Sequence, residues 1–216
     1  MKTSLRGMPF LARAMGVSIL TALGLKGLSL LFYPLLTLSA FMILIGAILN
    51  LMFLWATYQH PRLSSSPLRL VASIVGMAGS FNALIGATND FINSVAGHAL
   101  ILWYPLSQSI VVLGYGLVGI WLLALNYQTR IEDLWPSRLA WLGVVTGVIM
   151  ATGLFALPRI FIPAVALYHE PLPEIGELIG SVGWMFLYPL WSVRLGRAAW
   201  KEPDGDLRLR NSIQKS

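Results

Sequence analysis

Six apolar stretches, each close to the length a helix needs to cross a bilayer's hydrocarbon core, leave this chain few ways to fold. In lipid the backbone polar groups of such a run must be satisfied within the run itself, so each stretch is predicted to be an α-helix. Composition points the same way. Hydrophobic residues make up 56% of the 216 and charged residues 11%, where a soluble domain carries about 25% charged residues. The chain has no cysteine, which excludes disulfides, thiol redox chemistry, thiolate metal sites and cysteine nucleophiles.

The segments run from about Pro9 to Leu25 or a little beyond, Leu35 to Tyr58, Leu68 to Thr88, Pro105 to Tyr127, Leu139 to Leu157 and Ile175 to Arg194. Pro61, Pro67 and the serines between them mark a loop after the second segment. Asp90 to Tyr104 has no Lys or Arg and has room for a short surface helix. Pro158, Pro163, Pro171 and Pro173 break up the connection before the sixth segment. Residues 1–200 read as a single transmembrane domain, and 201–216, polar and containing Pro203 and Gly205, as a mobile tail. The basic residues ahead of Gly16–Leu25 resemble a signal peptide, but no small-x-small site follows, so this segment is expected to remain as the first helix.

Orientation follows from charge. Lys2, Arg6, Arg13, Arg62, Arg69, Arg130, Arg138, Arg194, Arg197, Lys201, Arg208, Arg210 and Lys215 fall on one side of the ladder, and only Lys26 and Arg159 fall on the other. Basic residues near helix ends are retained in the cytoplasm, which predicts an all-α polytopic membrane bundle of about six spans with both termini inside. The rival reading, an interfacial helix followed by one long span over residues 9–58, would place Lys2, Arg6 and Arg13 outside. Trp55, Tyr58, Tyr127, Trp135 and Trp200 are expected at the inner interface, and Tyr33, Trp103, Tyr104 and Tyr168 at the outer one. The net charge of +6 is spread along segment ends, which fits anionic headgroups as the partner and argues against nucleic acid.

The third segment is the least lipid-like. Gly79, Asn82, Gly86, Asn89 and Asn93 share one face if the helix continues, with Asp90 beside them. Amides and carboxylates at membrane depth need partners. Two readings stay open: a polar cavity in which Asn82, Asn89 and Asp90, with Gln108 of the fourth segment, bind a small ligand or cation, or amides bonding across closely packed helices. A facing stripe holds Gln108, Val112, Tyr115, Gly119 and Asn126, and the fifth segment carries Gly143, Thr146, Gly147, Met150 and Gly153. Those glycines read first as packing positions. Glu177, Ser181, Trp184, Tyr188 and Trp191 form one face of the sixth segment, an aromatic stripe expected in the core. His60, His98 and His169 have no ligand spacing, and no metal or cofactor is expected. Lys26 is expected to snorkel to the outer interface and Arg159 to pair with the acidic outer loop. No Walker loop, His-Glu-x-x-His, Gly-x-Ser-x-Gly or dinucleotide fingerprint occurs, so an enzyme is without support.

Gly114-Tyr115-Gly116 through Trp121-Leu122-Leu123, then Trp135-Pro136-Ser137-Arg138 and Trp141-Leu142-Gly143, resemble a broad group of bacterial multi-pass membrane proteins of unknown function. The resemblance covers about a quarter of the chain and implies a small helical bundle in a bacterial plasma membrane, with no activity or site residues to carry over. In physical terms Arg138 would hold the helix start at the headgroups, with Trp135 and Trp141 bracketing that interface. The expected role is a non-catalytic accessory or assembly subunit acting on a membrane-protein partner or a second copy. The alternative is a small-solute transporter or ligand-binding protein using the third segment's polar face.

Overall fold

All six stretches are helical. The computed structural model describes residues 7–32, 34–59, 67–96, 104–132, 134–158 and 171–198, and their side chains apart from those of residues 104–108. The helices are α1 (Gly7–Leu28), α2 (Pro34–Tyr58), α3 (Pro67–Ala96), α4 (Tyr104–Ile131) and α5 (Ser137–Ala151), the last prolonged by a 3-10 stretch, Thr152–Ala156. The sixth run is α6 (Pro171–Val182), a π-helical turn (Gly183–Leu187) and α7 (Tyr188–Arg197). No strand occurs among the described residues. The tail from Lys201, the three histidines, Arg159, Arg62, Trp103, Tyr168 and Trp200 lie outside them.

Five helices are long and apolar enough to cross a membrane, and the chain is a multi-pass, membrane-embedded bundle. The sixth segment departs from the uninterrupted helix expected over Ile175–Arg194. Pro189 has no N–H to give and its ring presses on the carbonyl one turn back, so the helix widens into the π turn just before it. The pieces on either side, 12 and 10 residues, are each too short to span alone.

Neighbouring segments run antiparallel, and the ring closes on itself. Ser39 Oγ on α2 donates to the Ala22 carbonyl of α1 (2.8 Å), and Ser18 Oγ on α1 donates to the Met42 carbonyl of α2 (2.7 Å). Residues 9–58 are therefore two packed helices rather than an interfacial helix and one span. Thr37 Oγ1 on α2 donates to the Ser94 carbonyl of α3. A Cβ placed on Gly79 of α3 would lie 2.5 Å from the Gly114 carbonyl oxygen of α4, and one on Gly147 of α5 would lie 2.7 Å from the Leu123 nitrogen of α4. Gly180 of α6 meets Gly153 at similar range. Finally α7 returns to α1, with Gly16 under Ser192 and Gly196 under Pro9 and Arg13. At the crossings made by these glycines backbones meet where any larger residue would collide, the usual basis of helix association in lipid.

The space inside the ring is filled by aromatic side chains. Tyr115 stacks on Trp184 (4.8 Å between centroids, 3° between planes) and Tyr188 on Trp191 (5.9 Å, 11°), while Phe53 meets Trp121 and Trp191 edge-on. The aromatic stripe of the sixth segment is thus core, as expected. Trp135 is a correction: expected at the headgroups, it is 2% exposed and packs edge-on against Trp191. The interfacial position falls to Trp141, which is exposed and lies under the Arg130 guanidinium at 4.3 Å.

Candidate functional site

Three polar groupings sit along the bundle. The first, toward the end away from the clustered Arg residues, is the stripe on α3. The helix continues through Asn93 to Ala96, past the expected end at Thr88, so Gly79, Asn82, Gly86, Asn89 and Asn93 do share a face. Asn82 is half-buried, and its Nδ2 donates to the Ile110 carbonyl of α4 at 3.4 Å, a long bond between helices. Asn89 is 2% exposed, Asp90 half-buried, and both are engaged in polar contacts. Gln108 lies in the first turns of α4, and its side chain is outside the described set.

The second grouping, at mid-depth, links three helices. The Tyr188 hydroxyl on α7 donates to Asn50 Oδ1 on α2, and Asn50 Nδ2 donates to Ser80 Oγ on α3 (2.7 Å). All three are buried. Close by, Asn126 on α4 accepts from Trp191 Nε1 (3.2 Å) and donates to its own helix at the Leu122 carbonyl (2.8 Å). Tyr115 Oη and Trp184 Nε1 are buried without a hydrogen-bond partner among the described residues. Sequence patterning missed Asn50. It is the one amide in a 25-residue apolar helix, and that isolation was the available signal.

The third grouping lies at the basic end. Arg69, the third residue of α3, is 3% exposed and forms an ion pair with Glu132, just past the end of α4 and 37% exposed. Arg69 also walls a small cavity of about 10 Å³ with Thr57, Ala72, Ser73, Trp121 and Leu125, room for one water. The sequence places Arg69 among the headgroup-facing cations, whereas the structure turns it inward. Glu132 makes this possible by supplying a countercharge at the one loop on the basic side that carries acids, Glu132 and Asp133. Arg69, Ser73, Gly76 and Ser80 fall on one helical face, which connects this grouping to the mid-depth one.

Among the described residues no three His, Asp or Glu side chains come together as a metal site. No protein-family model, curated protein or solved structure matches the chain.

Proposed function

We propose that this chain is a non-catalytic bundle that acts through lateral helix contacts, as an accessory or assembly subunit of a larger membrane complex. We place it in a bacterial plasma membrane with both termini cytoplasmic, on the strength of the basic residues and the resemblance of the fourth and fifth segments. The observation that carries the reading is a pair of glycines. Most helix glycines in the ring lie against a neighbouring backbone or side chain, but a Cβ on Gly24 or Gly27 of α1 would meet nothing within 4 Å. Both face outward with Val17, Leu20 and Leu28. Glycine lowers helix stability by about 1 kcal/mol relative to alanine, and here no internal contact gains from it. Its use is the close approach of another helix from outside.

The other polar features fit a packing role. Asn82 bonds to a carbonyl of the next helix, and aromatic rings fill the interior. The test is purification in mild detergent with mass spectrometry, wild type against a Gly24→Leu/Gly27→Leu variant. The wild type should carry a stoichiometric membrane-protein partner or a second copy. The variant should lose it while melting no lower than the wild-type chain freed of its partner. A wild type recovered alone, with a bound small solute, would contradict the reading.

A further inference from the structure

At the corner where α4 ends and α5 begins, two arginines share one aromatic platform. Arg130, in the last turn of α4, holds its guanidinium over the Trp141 ring of α5 at 4.3 Å. Arg138 stands three residues before Trp141, so the two occupy one face of α5. Side chains on a helix lean toward its start, which is the direction of Arg138 from Trp141. Arg130, Arg138 and Trp141 are all exposed. Among the described residues Glu132 is the acid of this end, and it is engaged by Arg69; no carboxylate there pairs with Arg130 or Arg138.

This arrangement suits a phosphodiester at the membrane surface. Stacking covers one face of the Arg130 guanidinium and leaves its N–H donors, which lie in the plane, open to two phosphate oxygens. The ring also holds the side chain in place, so binding orders it less than it would an unsupported arginine. Arg138 adds a second charge one turn away, and the start of α5 has no side-chain cap to compete with an anion. Beyond the cations the surface turns apolar. Val145 and Val148 continue the face of Trp141, and Tyr127 precedes Arg130 by one turn of α4, all of them exposed. A phospholipid brings a charged head for the arginines and chains for this strip, whereas a free phosphate ion brings only the first.

We propose that the α4–α5 corner is a binding site for one anionic phospholipid, with Arg130 and Arg138 on its phosphate and Trp141 holding Arg130 in position. Arg194 and Arg197, in the last turn of α7, carry the same charge at the same end, but no ring among the described residues lies under either. They are the built-in comparison for a merely electrostatic attraction. The site stands apart from the outward glycines of α1 and does not depend on what they contact.

The experiment is native mass spectrometry of the delipidated full chain in neutral detergent, titrated with phosphatidylglycerol or with phosphatidylcholine of the same acyl chains. Wild type should bind one phosphatidylglycerol saturably, about tenfold or more tighter than phosphatidylcholine. Arg130→Gln/Arg138→Gln should abolish that preference, and since both side chains are exposed the fold should survive. Trp141→Leu keeps both charges and should weaken binding severalfold, while Trp141→Phe should keep most of it. Arg194→Gln/Arg197→Gln should leave the preference intact. Glycerol 3-phosphate at the lipid's concentration should not displace it. Equal losses in the two double variants would show a diffuse attraction of the basic end, and displacement by glycerol 3-phosphate a free-anion site. Either would overturn the proposal, as would a wild type without preference or a Trp141→Leu chain that binds as tightly as wild type.

Discussion

Tyr188 and Asn50, 138 residues apart in sequence, are joined by a hydrogen bond in the middle of the bundle. Because Asn50 also donates to Ser80, one amide ties α2, α3 and α7 together where lipid offers no substitute partner. The bond acts across the ring, between segments that are not neighbours in sequence.

Removing the Tyr188 hydroxyl should therefore weaken the fold. Tyr188→Phe leaves the Asn50 oxygen buried and unserved, a loss of about 1–2 kcal/mol. Tyr115→Phe is the control. It deletes a buried hydroxyl with no partner among the described residues, so it should be neutral or stabilising. Reversible unfolding in mixed micelles compares the two, and the opposite ranking would remove the network from the account of stability.

The glycines separate into two classes. Gly79→Ala would drive a methyl against the Gly114 carbonyl, at 2.5 Å from atoms that belong to backbone, and should cost about 2 kcal/mol or more. Gly24→Ala meets open space and should gain up to about 1 kcal/mol of helix propensity. Melting temperatures of the two single variants decide it.

The ion pair should be asymmetric. Loss of Glu132 takes a countercharge from a buried guanidinium, whereas loss of Arg69 leaves a carboxylate that is already partly in water. Glu132→Gln should cost about 2 kcal/mol or more, less than for a fully buried pair, and Arg69→Met should cost less. Equal costs would mean that both groups are hydrated alike.

Asp90→Asn should leave partner association intact and change stability by less than about 1 kcal/mol, since the residue is half-buried near the end of α3. Loss of a measurable uptake or binding activity in this variant would instead support a ligand site built from Asn82, Asn89, Asp90 and Gln108.

What the sequence makes legible here is whatever depends on local pattern. Helices α1 to α5 follow from apolar length, and the packing glycines Gly143 and Gly147 follow from their spacing on α5. The stripe through Asn93 needed only that α3 continue. What the sequence hides depends on distant partners. Arg69 looks like any other interfacial cation until Glu132, 63 residues on, turns out to face it. Asn50 has no periodic companion on α2, since its partners lie on other helices. Trp135 obeys interface statistics in sequence but fills a gap beside Trp191 in space. The π turn was readable from Pro189, whose missing N–H and bulky ring disturb the turn before it.

The closing contact between α1 and α7 puts the start of the first helix and the end of the last at the same end of the ring, with Gly196 against Pro9 and Arg13. The chain has no cysteine of its own, so single cysteines at Ser4 and Gln214 can be probed in sealed vesicles with a membrane-impermeant maleimide. A ring of six alternating segments predicts that both label from the same side, and that a cysteine at Ser29 labels from the other. Labelling of Ser4→Cys and Gln214→Cys from opposite sides would contradict it.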